Sequence, residues 1–472
     1  MPRVIVCGAG LTGLTTAWHL QRAGSQVTVL DAADDVGGVI GSTRRDGYLV
    51  EHGPNSCMLT SELAQLVDTL GITGSLRPAA PQAQRRYIVR HGRPIEVPSS
   101  PRAFLTSPLF STAAKLRMLA EPFIARRTAP GDESVAAFVR RRLGDEPLTY
   151  AVDPFVSGVY AGDPERLSIT HAFPRLAAME REHGSLLRGA IAAGRQARVA
   201  RAQTGNATAR ATMVSFADGM VTLPQAIADG VGREQVRCRT RIVAIDAHDG
   251  GAAVTVERDG ISSTLHADVV ISTLPLHAFA SIKLPAAVRA ATTLFDALPY
   301  PSVTSLALGY RRSDVAHPLD GFGMLVPSIE QRTTMGVLFS STLFAGRAPA
   351  GHVLLTCFVG GVRRPLLGAA STEELRALVE PELASLLGVC GAPTFVHRVT
   401  WPRAIPQYDV GHDANVHAAE SIERVMPALV IDGQFRRGVS VGDCVAAGAQ
   451  IAARALQTIA SREHPSAPAI AG

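Results

Sequence analysis

A chain of 472 residues, 46% hydrophobic and 18% charged, is long enough for two to four domain-sized units and too apolar to be globally disordered. Its formal net charge of +5 is a mild bias for this size, suited to an acidic small molecule or an anionic membrane surface. It does not suit a nucleic-acid binder, and no basic stripe interleaved with aromatic residues is present.

The chain opens on a short apolar β-branched strand, Val4 to Cys7. A helix is expected from Leu11 to Ala23, with Leu14, Ala17, Trp18 and Gln21 along one face and Gly24 as its stop. A second strand, Val27 to Leu30, ends at Asp31, and together these form the start of a βαβ unit. From about residue 85 to 210 the texture changes: Pro98 to Pro108 reads as a Pro/Ser-rich loop, and the rest as mainly helical. A helix over 111–127 would carry Leu116, Leu119, Ala120, Phe123 and Ile124 on an apolar face and kink at Pro122. Another, Ser134 to Leu143, has Ser134 as N-cap, and Arg195 to Ala211 reads as an exposed helix running into a linker. Residues 235–273 return to strands, with a hairpin signal at Asp259-Gly260. Further strands are expected at Ser305 to Gly309 and Val353 to Val359, a helix at 372–389, a strand at Ala428 to Asp432, and an Ala-rich terminal helix from about Asp443.

The six cysteines are scattered without a CxxC, so metal-ligand spacing is absent and a reducing, cytoplasmic setting is expected. Met1-Pro2-Arg3 runs directly into a strand, which predicts no signal peptide. No apolar run reaches the roughly 20 residues a spanning helix needs.

The chemistry begins with Gly8-Ala9-Gly10-Leu11-Thr12-Gly13, between strand and helix. Gly8 permits the tight turn, Gly10 lets backbone approach a pyrophosphate, and Gly13 allows the helix to pack close to the sheet. The helix start at Leu11 and Thr12 supplies partial positive charge. Asp31 follows Gly8 by 31 − 8 = 23 residues, and with Ala32 it stands where ribose hydroxyls are held. A carboxylate there disfavours a 2′-phosphate and so NADP. The pair Gly37-Gly38 lets the chain pass the pyrophosphate from the other side, which favours FAD over NAD. In Glu51-His52-Gly53-Pro54-Asn55 the residues Gly53, Pro54 and Asn55 suit close approach to a flat ring; a plain turn is the alternative. Near the end, Gly438-Val439-Ser440-Val441-Gly442-Asp443-Cys444 precedes the terminal helix. Its N–H groups, with Val439, Val441 and Asp443, can face the pyrimidine edge of a flavin, or Asp443 can simply cap the helix.

With these motifs, the chain resembles the protoporphyrinogen oxidase group, within the class that holds monoamine oxidases and phytoene desaturases. The specific stretch is Val152 to Pro164, followed by Leu167-Ser168. Gly53 to Ser56, Arg86-Tyr87-Ile88, Glu182 to Leu186, Ile405-Pro406-Gln407-Tyr408 and Arg436 to Asp443 add to it. Asp31 stands where this group more often has Glu, Val39 where the wider class often has Arg, and Gln434 where Asn is usual.

The resemblance implies an α/β fold. A Rossmann-type, glutathione-reductase-like FAD-binding domain would be assembled from residues 1–84, which also hold the start of the substrate domain, 206–274 and 401–472. A helical, membrane-facing insertion would occupy 85–205 and a mixed-sheet substrate domain 275–400. It also places Val243 among the contacts to noncovalent FAD. The implied activity is oxygen-dependent oxidation of protoporphyrinogen IX to protoporphyrin IX in haem biosynthesis, by three successive hydride transfers to the flavin. Arg86 would contact a propionate, and Gly162, in the Ala161-Gly162-Asp163 loop, would let backbone carbonyls reach pyrrole N–H groups. Asp163 serves there or anchors the turn before Pro164. No catalytic base is assigned, and His171, His183 and His412 are read as structural. Coproporphyrinogen III is the alternative substrate, and an amine oxidase or carotenoid desaturase the more distant one. A homodimer and peripheral contact with the inner face of the plasma membrane stay open. For the latter, Phe104, Leu105, Leu109 and Phe110 with Arg102 and Lys115 form either a contact patch or helical core.

Overall fold

The computed structural model describes residues 1–204 and 212–463, so residues 205–211 of the expected linker lie outside the described residues. Five parallel strands form the nucleotide sheet, in the order Val236–Arg237, Gln26–Leu30, Arg3–Cys7, Val269–Ser272 and Leu429–Ile431. Three distant stretches of chain thus converge on one sheet. Their β-branched runs suit strands buried on both faces: Val4, Val6, Val269, Val270 and Ile271 are all almost wholly buried.

Helix Leu11–Arg22 packs against the terminal helix Val441–Glu463. Contact is close because Gly448 faces Thr15: a Cβ on Gly448 would lie 2.6 Å from the Thr15 Cβ. Leu14, Ala17 and Trp18 point inward as their spacing predicts, whereas Gln21 donates to the Val231 carbonyl at 2.6 Å. The terminal helix begins at Val441, two residues before its expected start. The strands Arg241–His248, Gly251–Arg258 and Ile261–Ala267 make a separate meander, whose second turn holds Asp259 and Gly260 at φ 50° and 77°. Those positive values suit the tight hairpin that an Asp-Gly pair signals.

A seven-stranded sheet runs Phe395–Trp401, Val303–Arg311, His352–Gly360, Thr334–Leu338, Gly323–Leu325, Tyr87–Arg90, Arg93–Glu96. Its last two strands come from the stretch the sequence assigns to helices, so the helices begin only at Pro101. On its far side packs helix Thr372–Leu387, opened by a Ser371/Glu374 capping box and ended by Gly388 at φ 60°.

The helical region departs from expectation around Pro122. The helix is Thr112–Leu119, and a separate 3-10 turn, Glu121–Phe123, follows. Proline lacks the N–H that would continue the ladder, and the turn drives Glu121 inward. Glu121 accepts from Ser185 Oγ and from the N–H groups of Leu186 and Leu187, and pairs with Arg142; both charged side chains are wholly buried. The expected apolar face consequently faces outward: Leu116 is 63%, Leu119 52% and Phe123 87% exposed. Of the four upstream apolar residues, Leu109 and Phe110 are buried, Phe104 packs against them, and Leu105 is exposed.

Candidate active site

The glycine loop is held by its own backbone. Gly8, at φ 108°, donates to the Leu30 carbonyl at 2.8 Å. A Cβ on Gly13 would lie 1.9 Å from the Gly8 oxygen, whereas a Cβ on Gly10 would meet nothing within 4 Å. Gly13 is therefore required by packing, while the space above Gly10 is open. Gly37 donates to the Ala9 carbonyl at 2.8 Å and pairs with Gly10, which sets the Gly37-Gly38 pair against the first loop. The helix has no side-chain cap and no acidic residue in its first turn, and the N–H groups of Leu11, Thr12 and Gly13 have no acceptor among the described residues. Such a cluster of free donors fits a pyrophosphate.

Asp31 is already partly engaged. One oxygen accepts from Ala9 N–H at 2.6 Å and the other from Ala33 N–H at 2.8 Å, with Ala32 exposed between them. A carboxylate has about four acceptor positions, so two remain for ribose hydroxyls. Val243 lies at a bulge in its strand, and its carbonyl accepts from Lys283 N–H at 2.9 Å.

The loop from Glu51 to Asn55 is fixed by neighbours the sequence did not name. A Cβ on Gly53 would lie 2.3 Å from the Val39 oxygen, and Trp401 donates its indole N–H to the His52 carbonyl at 2.8 Å. Pro54 follows, and Asn55 donates to the Gly53 carbonyl at 3.3 Å. The His52 Nε2 bonds Thr43 Oγ1 at 2.7 Å, the ring stacks on His397, and burial lowers its pKa, so it stays neutral. Glu51 meets Arg347 at 2.6 Å and also accepts from Ser42 and the Met220 N–H. Burial pushes the Glu51 pKa up against the pull of Arg347, and burial likewise lowers that of Arg347. A lone arginine in an Ala- and Gly-rich loop gave no signal of this role.

In the tail, Ser440 and Asp443 cap the terminal helix reciprocally: Ser440 N–H donates to Asp443 at 3.2 Å and Asp443 N–H to Ser440 Oγ at 3.1 Å. The capping role of Asp443 thus holds. Gly438, at φ 109°, makes room for that carboxylate: a Cβ there would lie 2.6 Å from it. Val441 is buried and Val439 packs against the helical core. The Val441 and Gly442 N–H groups have no acceptor among the described residues. Burial raises the pKa of the Cys444 thiol, which keeps it protonated and a poor nucleophile.

The third part of the site is the loop after helix Asp153–Tyr160. Ala161 takes φ 51°, its carbonyl accepts from Val362 N–H at 2.9 Å, and the buried Gly162 carbonyl has no donor among the described residues. Asp163 anchors the turn: it accepts from Glu165 N–H at 3.0 Å and from Arg363 at 2.9 Å, and Arg363 also pairs with Asp153. The helix lies close on the seven-stranded sheet, where a Cβ on Gly158 would come 2.5 Å from Leu325. At the other end of that strand, Arg86 sits over the Phe322 ring at 5.6 Å. It is exposed and makes no ion pair among the described residues, whereas Arg85 is tied to Asp320 and Arg90 to Glu146. Arg86 thus stands at the start of the strands Tyr87–Arg90 and Gly323–Leu325, whereas the Ala161-Gly162 loop meets Gly361 and Val362 at their opposite end. His171 is bonded to Asp413 and His412 to the Phe435 carbonyl, both structural contacts.

The family model for flavin containing amine oxidoreductases matches residues 11–456. The mitochondrial protoporphyrinogen oxidase of Nicotiana tabacum is 35% identical over 95% of this chain and 94% of its own. The coproporphyrinogen III oxidase of Bacillus subtilis (strain 168) is 26% identical over 96% and 97%. A solved structure from Exiguobacterium sp. 255-15 has a TM-score of 0.79 at 23% identity, over 97% of this chain and 99% of that one. The chain belongs to the flavin containing amine oxidoreductase family and is an FAD-dependent oxidoreductase.

Proposed function

We propose that the protein oxidises a porphyrinogen, protoporphyrinogen IX first, to the corresponding porphyrin, with oxygen as final acceptor. The observation that carries this reading is the near full-length likeness to protoporphyrinogen oxidases at up to 35% identity, against 26% and 30% for two coproporphyrinogen III oxidases. FAD, when bound, supplies the two-electron acceptor. The chain's part is to hold it and to place the substrate. The free N–H groups of Leu11, Thr12 and Gly13 take the pyrophosphate, Asp31 the ribose, and the Val441 and Gly442 N–H groups the flavin's pyrimidine edge. The buried thiol of Cys444 supports noncovalent binding. Toward the substrate, the Gly162 carbonyl accepts a pyrrole N–H, and the Arg86 guanidinium, without an ion pair among the described residues, takes a propionate as a charge-assisted pair.

Peripheral membrane contact is supported by the exposed Leu105, Leu116, Leu119 and Phe123 beside Arg102 and Arg126. No helix among the described residues is long and apolar enough to cross a membrane.

The test supplies protoporphyrinogen IX and coproporphyrinogen III separately, in air, and follows porphyrin fluorescence against an enzyme-free control. Faster protoporphyrin formation is expected. Preference for coproporphyrinogen III would reassign the substrate within the same chemistry. Rates equal to the control with both, in protein that retains FAD, would end the porphyrinogen reading.

A further inference from the structure

We infer that Gln407 is a positioning residue that fixes the Gly162 carbonyl relative to the cofactor-binding tail. This rests on the reading of Gly162 as a substrate contact. Gln407 is 1% exposed. Its amide nitrogen donates to the Tyr160 carbonyl at 2.8 Å and the Ile405 carbonyl at 3.1 Å. Tyr160 is the last residue of helix Asp153–Tyr160, so its carbonyl is one of those a helix end leaves without a partner. With both amide hydrogens used, the orientation of the group is set. Its oxygen is buried, accepts no hydrogen bond among the described residues, and is turned to Gly162: a Cβ on Gly162 would lie only 2.6 Å from it.

Glycine at 162 is therefore demanded from inside the protein, by Gln407 first and by Leu167, whose Cδ1 would lie 3.0 Å from the same Cβ, before any ring lies against the loop from outside. The neighbouring residue completes a strut. Tyr408, also buried, donates its phenol to the Gln434 carbonyl in the cofactor tail, and its own carbonyl accepts from Ser168 N–H at 2.7 Å. Two consecutive side chains thus tie the substrate loop to the tail, and a change at Gln407 shifts the Gly162 carbonyl without touching the nucleotide cradle.

The experiment compares holoenzyme carrying Gly162→Ala, Gln407→Ala, both together, and Gln407→Met. Gln407→Met is expected to raise KM for the porphyrinogen about 10-fold or more, as displacement of a binding group does. FAD content and the rate at which dithionite-reduced flavin reoxidises in air should stay at wild-type levels. Gln407→Glu, the same shape without the amide donors, serves as second variant and should do likewise. Gly162→Ala should raise KM in the wild-type background and add less than about two-fold once residue 407 is alanine, because the nearer clash is gone and only the movable end of the Leu167 side chain, at 3.0 Å, remains. An unchanged KM in Gln407→Met and Gln407→Glu, or an equal cost of Gly162→Ala in both backgrounds, would overturn the inference. Melting temperatures of the same four-protein cycle separate the two layers. Coupling there supports the Gly162–Gln407 contact even if wild-type enzyme turns over no porphyrinogen, which would sink only the functional reading. Additive shifts would sink the contact.

Discussion

Glu51 and Arg347 meet at 2.6 Å with side chains 2% and 3% exposed. One belongs to the strand that leads into the His52–Asn55 loop, the other to the loop before strand His352–Gly360, so the pair fastens the cofactor region to the substrate sheet. Arg347 also donates to Ser215 Oγ at 2.6 Å. Removing one partner leaves the other charge buried and unpaired, which typically costs about 3–5 kcal/mol. Arg347→Met should therefore destabilise the protein by that order in chemical denaturation. Adding Glu51→Gln, which keeps an acceptor for Met220 N–H, should recover more than half. A double variant no more stable than Arg347→Met would show that packing, not charge, holds the junction.

The glycine loop separates two effects that are usually confounded. A Cβ on Gly13 meets the Gly8 carbonyl oxygen, so Gly13→Ala should lower the melting temperature of protein freed of FAD. At Gly10 there is open space on the protein side. Gly10→Ala should leave the FAD-free protein within about 0.5 kcal/mol of wild type, as substitutions that touch nothing do, yet weaken FAD binding. Fluorescence titration with FAD, alongside thermal melts, reads both. Equal melts with equal FAD affinity for Gly10→Ala would remove Gly10 from the phosphate site.

Arg85 and Arg86 offer an internal control. Arg86 is unpaired among the described residues and Arg85 is bound to Asp320. A hydrogen bond to a charged group contributes about 1.5–3 kcal/mol, so Arg86→Ala should raise KM for a propionate-bearing substrate by roughly 10- to 100-fold. Arg85→Ala should move KM little. Lysine at 86 should restore only part, since it lacks the bidentate fork. If the Arg85 variant carried the larger KM effect, the propionate contact would belong to the neighbouring residue.

The parts legible in the sequence were those written in local chemistry. The Gly8–Gly13 turn, the Asp259-Gly260 hairpin and the Ser134 cap each depend on residues within a few positions of one another. The strands at 87–96 pair with each other across a His91-Gly92 turn at φ 52° and 70°, a weaker signal than Asp-Gly, and what holds them in the larger sheet, the pairing of Tyr87 and Ile88 with Met324 and Leu325, is far along the chain. Leu116, Leu119 and Phe123 keep a helical spacing, but spacing reports a shared face and not what covers it. Arg142, Glu121, Glu51 and Arg347 were invisible for the opposite reason: charged side chains read as surface until partners bury them. Gln407 was legible only as part of a resemblance; the role of its amide depends on the end of a helix some 250 residues earlier.

Acid should loosen the junction of the helical region with the tail. His412 is 2% exposed and bonded to the Phe435 carbonyl, and burial lowers its pKa from 6.5. A depressed pKa means the unfolded chain binds the proton more readily, so the contribution of His412 is present above about pH 6.5 and is lost as pH falls toward its folded value. Denaturation measured from pH 7.5 to 5 should show falling stability, and His412→Gln should flatten that slope relative to wild type. A parallel slope in the variant would assign the acid sensitivity to half-buried histidines such as His52 and His397, whose pKa values partial burial also lowers.

Leu119 and Phe123 stand 52% and 87% exposed on the helical region. Burying an apolar side chain of this size is worth about 1.5–3 kcal/mol, so Leu119→Ser with Phe123→Ser should cut cosedimentation with anionic phospholipid vesicles by about 10-fold or more. Turnover of detergent-solubilised substrate should be unchanged, because neither residue contacts the cofactor or substrate loops. Raising the salt should weaken wild-type binding only in part if the apolar side chains insert, and nearly completely if Arg102 and Arg126 alone attract the surface. Undiminished vesicle binding by the double serine variant would leave this patch without a membrane role.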